Sequence, residues 1–337
     1  MLRDKLEVFI ITYNRKKHLA QTLECVYSEN SPIKDFQITI LDNKSTDGTS
    51  ELIDKAISNF PNSKHVIHNR NIGGNANIAR CYELAKKEYF WILCDDDEIN
   101  FKNWAAVEKA ILEENADCVV VSNYIHPKRD VAQLIGQLSF VPAGIYKTEN
   151  LTDTVMQNIG FQISCCFPQL ALVCKLINDG KKFVILDDWI VKMIVNPDAS
   201  YSRGMDADKN PLMANMVWSV GFLKTIQMIK SEKLREQIIM HYENENGRYM
   251  LHPDVFLEFN ANMGGDSFIN MQEYYSLLPP RLKCAFSYEN YVKKCEYEYV
   301  LVKKSANYRV GAMILFLPKI FLLPFRKLAR FLLPRND

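Results

Sequence analysis

The chain predicts an α/β fold built on an open, mostly parallel sheet, and two features of the sequence lead to that class. Short apolar runs alternate with amphipathic helical patterns from residue 7 to about 123, and polar, turn-forming segments follow the runs directly. Strands are predicted at 7–12, 36–42, 64–68, 89–94 and 117–122. Helices are predicted between them at about 16–29, 49–60, 75–87 and 103–115, where apolar residues recur at intervals of three and four.

After about residue 140 the alternation weakens, and from about 209 the pattern becomes mainly helical. The expected organisation is a ligand-binding half at 1–140, a second part of the same domain at 141–208, a helical region at 209–306 and an amphipathic, basic tail at 307–337. No internal repeat or low-complexity segment interrupts it.

Composition narrows the function classes. The chain has 337 residues, 41 basic and 40 acidic, a net charge of +1. No global field is available to attract nucleic acid, and none is expected as a partner. Nine cysteines without a C-x-x-C pair read as buried thiols of a reducing compartment, and six histidines show no metal-ligand spacing. The opening MLRDKLEVFIITYNR reads as a first strand rather than a secretion signal, so a cytoplasmic location is expected.

In open α/β sheets ligands sit beyond the carboxyl ends of the strands, which directs attention to four segments. They are Thr12-Tyr13-Asn14-Arg15, Asp42 to Gly48, Asn69 to Asn75, and Asp95-Asp96-Asp97-Glu98. Three adjacent carboxylates after the apolar run Phe90-Trp91-Ile92-Leu93 repel one another unless a cation sits among them, and oxygen-only ligands suit Mg²⁺ or Mn²⁺. The alternative is a solvated loop capping the helix near Lys102. Asp42 offers an acceptor for a base or ribose, or it closes the turn Ser45-Thr46-Asp47-Gly48-Thr49. Asn71-Ile72-Gly73-Gly74-Asn75 precedes a helix start, where free N–H groups favour a pyrophosphate, although a Gly-Gly pair there also serves as a simple turn.

The ordered segments TYNRKKHLAQTL, LDNKSTDGT, NRNIGGNANIA and the strand ending in DDD resemble the motifs of family 2 glycosyltransferases of the GT-A fold. The match spans residues 7 to about 100. The resemblance implies inverting transfer of a sugar from a nucleoside diphosphate sugar. It implies that Thr12, Tyr13, Asn14 and Asp42 line the nucleoside pocket, with Arg15 beside them, and that Asn71, Gly73 and Asn77 lie near the donor. Asp95 would face the ribose, with Asp96 beside it, and Asp97 the metal.

An inverting transfer also needs a general base. The family's usual Glu-Asp pair has no direct counterpart, and the nearest candidate is Asp187-Asp188-Trp189 after Phe183-Val184-Ile185-Leu186, which also reads as a strand-end turn. Asp188 is preferred to Asp187. Arg203 and Gly204 read as a lid element toward the diphosphate or as a surface pair. The stretch 161–169 loosely resembles the corresponding region of abequosyltransferase-type enzymes that build surface polysaccharides. Without the Q-x-x-R-W motif of processive synthases, addition of one sugar from a UDP or dTDP donor to a glycan or lipid-linked glycan is expected. The rivals are a sugar nucleotidyltransferase, which would carry a glycine-rich loop after the first strand, and an inactive scaffold of the same fold.

The tail at 310–334 is apolar but broken by Lys319, Arg326, Lys327 and Arg330 and by three prolines. The cations share one helical face, which predicts an interfacial helix on the inner membrane surface; the alternative is a helix packed on the protein.

Overall fold

The computed structural model describes residues 1–122, 130–165, 167–194, 219–244 and Ser276. By internal contacts the chain divides into Met1–Leu278 and Pro279–Asp337, and the described residues all belong to the first unit. The expected tail at 307–337, the Arg203-Gly204 element and most of the 209–306 region lie outside the described residues.

A short helix α1 (Leu2–Lys5) leads into β1 (Leu6–Thr12), α2 (Lys16–Val26), β2 (Gln37–Asp42), α3 (Thr49–Ile57), β3 (Ser63–Ile67), α4 (Gly74–Leu84) and β4 (Tyr89–Leu93). Then come β5 (Glu98–Ile99), α5 (Trp104–Leu112), β6 (Cys118–Val120), α6 (Val131–Leu138), β7 (Gly144–Lys147), α7 (Asp153–Gln162), α8 (Pro168–Asn178), β8 (Phe183–Ile185) and β9 (Val191–Lys192). Two helices in the region expected to be helical, α9 (Ser219–Ile226) and α10 (Glu232–Asn244), follow.

Seven strands form one sheet in the order β3-β2-β1-β4-β7-β6-β8. Strands β1, β2, β3 and β4 run parallel, and β6 and β8 are parallel to each other; β7 is antiparallel to both β4 and β6. Succession runs outward from β1 through β2 to β3 on one side and jumps to β4 on the other. The order therefore reverses between β1 and β4, where an open sheet of this kind opens a crevice. A separate ribbon pairs β5 with β9, Glu98 opposite Lys192.

The core explains why these segments are strands. Val8, Ile10, Ile38, Ile40, Tyr89, Trp91, Leu93 and Val119 are buried with Leu19, Leu23, Val107 and Ile111 from the covering helices. A sheet covered on both faces needs near-continuous apolar runs, which is what Tyr89 to Leu93 supplies. Trp91 anchors the centre, its Nε1 donating to the Pro142 carbonyl at 2.8 Å.

The predicted helices ran about three residues too far at their C-termini. For α4 the cause is Glu7: buried on β1, its carboxylate accepts the backbone N–H groups of Lys86 and Lys87, so those amides leave the helical pattern and Ala85 is extended. The sheet also continues past residue 140, because β7, unforeseen from the sequence, joins β4 to β6. Only glycine fits at its first position. A Cβ at Gly144 would overlap the Tyr146 ring, which folds back along the same face of the strand. Gly144→Ala should therefore cost about 1–3 kcal/mol through overpacking, measured as a lower urea midpoint; an unchanged midpoint would show that the ring moves freely.

Candidate functional site

The polar strand ends meet where the sheet order reverses. Arg15, at the start of α2, reaches the β4 end: its Nε lies 3.1 Å from Asp95 Oδ1, and its Nη2 pairs with Asp96. Thr12, the last residue of β1, donates its hydroxyl to Asp95 Oδ2 at 2.6 Å, and Thr22 donates to the Asp95 carbonyl at 3.0 Å. Asp95 is thus fixed from two elements. Burial nevertheless pushes its carboxyl up to about 7, against the opposing pull of Arg15 and Thr12.

Asp97 differs from both neighbours. Its Oδ2 is buried without a hydrogen-bond partner. Burial first, and then the charges of Asp96 and Asp95, raise it to about 8, opposed by a hydrogen bond from the Ile194 backbone and by Arg15. Ile194 comes close because the β5–β9 ribbon lays residues 191–194 beside the triplet.

On β2 the Asp42 carboxylate is fully buried. Its Oδ1 accepts the Ser45 N–H at 2.8 Å, Oδ2 accepts the Ser50 hydroxyl, and His65 Nε2 lies 3.8 Å from Oδ2. Burial alone would raise the group, but His65, Ser45 and Ser50 outweigh it and hold the carboxyl well below the usual range. The turn so fixed holds the β1 end in place: the Asn14 N–H donates to Ser45 Oγ at 2.8 Å, and Asn14 Oδ1 accepts the Thr46 N–H at 2.7 Å. Asn14 adopts φ 51°, a left-handed conformation that asparagine tolerates.

A third link joins the next strand end. Asn43, buried beside Asp42, donates to Asn71 Oδ1 at 2.8 Å and accepts the Ile72 N–H at 2.9 Å, while the Gly73 N–H also donates to Asn71 Oδ1. Gly73 caps α4 at φ 87°, ψ 154°, backbone geometry suited to glycine. Asn77 is buried, between His68 Nε2 at 2.8 Å and the Leu41 carbonyl at 3.3 Å.

The residues expected at the site therefore fall into two groups. Thr12, Asp42, Asn77 and Asp95 are buried, whereas Tyr13, Asn14 and Asn71 are exposed, the Asn14 and Asn71 side chains still held by neighbouring turns, and Arg15, Gly73, Asp96 and Asp97 are partly exposed. Asp187 and Asp188 follow β8 on the same sheet edge and are exposed. Three strand spacings separate β4 from β8 in the sheet order, roughly 14 Å. Trp189, beside them, lies under Lys192 Nζ at 5.8 Å. Sequence reasoning missed His65, His68 and Asn43; the available signal was a polar residue inside or directly after a predicted strand.

Among the described residues no three His, Cys, Asp or Glu side chains are arranged to hold a metal ion. The donor set still suits a divalent cation held largely by a substrate. Asp95 and Asp96 are occupied by Arg15, and the unpartnered Asp97 oxygen offers the single carboxylate that Mg²⁺ typically takes alongside phosphates and water.

The mixed, mostly parallel sheet with its flanking helices matches the GT-A fold. A model of glycosyl transferase family 2 matches residues 7–175, half of the chain, and the protein belongs to that family. It is 36% identical over 113 residues to abequosyltransferase RfbV of Salmonella typhimurium, an alignment covering 32% of each chain. It is 26% identical over 130 residues to glycosyltransferase GlyG of Streptococcus pneumoniae, covering 38% of this chain and 42% of that one. The matches thus span less than half of these relatives. Among solved structures, residues 1–349 of S. aureus TarS with UDP-GlcNAc share the fold, with a TM-score of 0.58 at 17% identity over 83% of each chain.

The raised Asp97 carboxyl has a stability consequence. Between about pH 4 and about 8 the folded protein holds a proton that the unfolded chain has released, so this group's contribution declines as pH rises through that window. Asp97→Asn should lack that decline. Without divalent ions its Tm should exceed that of the native protein at pH 8 and converge with it near pH 4, and Mg²⁺ should stabilise the native protein only. A constant Tm difference across the range would contradict this electrostatic account.

Proposed function

We propose that the protein is an inverting glycosyltransferase that moves one sugar from a nucleoside diphosphate sugar, of UDP or dTDP type, to a glycan or lipid-linked glycan acceptor in surface polysaccharide synthesis. The observation that carries the reading is the buried, unpartnered Asp97 oxygen beside the Arg15–Asp95–Asp96 cluster at the strand-order reversal. Membership of the family supports it, as do the named activity of RfbV and the UDP-GlcNAc held by TarS.

In this reading Tyr13, Asn14 and Asn71 contact the donor, with Thr12, Asp42, Asn77 and Asp95 fixing them from behind. Gly73 and the N-terminus of α4 approach the diphosphate, and Arg15 and Asp96 border it. Asp97 would hold Mg²⁺ or Mn²⁺, which supplies charge neutralisation for the departing diphosphate. The general base is Asp188, with Asp187 its neighbour. Its carboxylate takes the acceptor hydroxyl proton as that oxygen bonds to the anomeric carbon, and the bond to the diphosphate breaks with its electron pair leaving on the phosphate oxygen. The basic tail at 307–337 attaches the enzyme to the inner, cytoplasmic membrane surface, where a lipid-linked acceptor would lie. Among the described residues, no helix is long and apolar enough to cross a membrane.

A screen of nucleotide sugars that follows nucleoside diphosphate release identifies the donor. With that donor, Asp97→Ala should abolish release and metal-dependent nucleotide binding, while Asp188→Ala should leave binding intact and slow transfer by about 100-fold or more. Full activity in Asp97→Ala would overturn the metal assignment. Deletion of 307–337 should shift the protein from anionic liposome pellets to the supernatant; a truncated protein that still pellets would remove the tail as anchor.

A further inference from the structure

His65 lies outside the four segments expected to carry the chemistry, yet it sits between two carboxylates. It is on β3, its side chain is 7% exposed, and its Nδ1 lies 2.8 Å from Asp54 Oδ1 on α3. Its Nε2 lies 3.8 Å from Asp42 Oδ2 on β2, an ion-pair distance too long for a hydrogen bond, and is buried without a hydrogen-bond partner. Asp42 and Asp54 are the charged groups that face the ring, and Lys64 precedes it on the opposite face of the strand.

The neutral ring fits this place poorly. With its proton on Nδ1 for Asp54, it would turn the Nε2 lone pair toward the Asp42 carboxylate. The imidazolium presents an N–H to both. The two carboxylates outweigh the opposing effect of burial and raise the group's pKa above the usual histidine value.

From His65 a chain of contacts leads to the exposed donor site. Asp42 fixes the Ser45 amide, Ser45 Oγ accepts from Asn14, and the Thr46 N–H binds the Asn14 side chain. We propose that His65 is a positioning residue for the donor site, its imidazolium clamping Asp42 against Asp54 so that the 43–50 turn holds Asn14 for the nucleotide. This rests on the reading of the site as one for a nucleoside diphosphate.

Nucleotide affinity should then carry a component that disappears as His65 loses its proton. The experiment compares the full-length protein with His65→Gln, titrating UDP calorimetrically in Mg²⁺ between pH 5.5 and 9.5. Taking the ratio of the two dissociation constants at each pH cancels the titration of the phosphate and of the Asp95–Asp97 cluster. The ratio should be about tenfold at the acid end, where His65 is protonated, and fall toward one by pH 9.5. A ratio constant with pH would overturn the proposal, since a purely structural loss would persist at every pH.

The NMR titration of the His65 Cε1–H resonance, assigned by its loss in His65→Gln, gives an independent readout. A midpoint above 6.5 that falls in Asp54→Asn supports the clamp, and a midpoint at or below 6.5 overturns it whether or not UDP binds. Failure of UDP, dTDP, GDP and CDP all to bind, with the His65 midpoint raised, would instead count against the nucleotide reading.

Discussion

The carboxyl edge of the sheet depends on one cation placed among carboxylates. Arg15 enters from the start of α2 and pairs with both Asp95 and Asp96, tying the end of β1 to the end of β4 across the point where the sheet order reverses. Three adjacent aspartates at the end of a buried strand would otherwise repel one another in a medium that screens poorly. Arg15 pairs with two of them, and the third is left with an oxygen that no protein group satisfies. The cluster is thereby divided into a structural pair and a carboxylate with one unsatisfied oxygen.

Asp42 and Asp97 show how differently two carboxylates at and beyond the ends of the strands on either side of β1 can be treated. Both lose water. Asp42 gains an amide, a hydroxyl and the nearby His65, and these overcome burial so that it stays ionised. Asp97 gains the Ile194 backbone and the field of Arg15 but faces two like charges, so burial prevails and the neutral form is favoured. The first carboxylate is suited to hold a turn in one shape. The second is suited to accept a proton or a cation, and so to respond to what is bound.

The parallel half of the fold was legible because its strands are buried on both faces and carry continuous apolar runs, as in Tyr89 to Leu93. The acidic triplet was legible for the same reason, since a polar cluster directly after such a run marks a sheet edge. Strand β7 was not, because Gly144-Ile145-Tyr146-Lys147 is short and its place is set by pairing with β4 and β6 rather than by its own pattern. The helix ends were misjudged where a distant group intervened, as Glu7 does for Lys86 and Lys87. His65 escaped notice because its role depends on Asp42 and Asp54, 23 and 11 positions away in sequence, which only the folded sheet brings together.

The division of the expected residues into buried and exposed groups follows from the same geometry. Thr12 and Asp42, which end central strands, point into the sheet edge where neighbouring turns offer donors and acceptors, and Asp95, two residues past β4, is engaged by the protein in the same way. After β1 the next two residues, Tyr13 and Asn14, are exposed, whereas Asn43 after β2 stays buried. Motif residues that look alike in sequence therefore hold two different jobs, and their substitution should fail in two different ways. Loss of an outward side chain removes a contact, whereas loss of an inward one loosens the loop that carries several contacts. Asp42 belongs to the second kind, which is why the proposed role of the histidine behind it requires no contact between that histidine and a ligand.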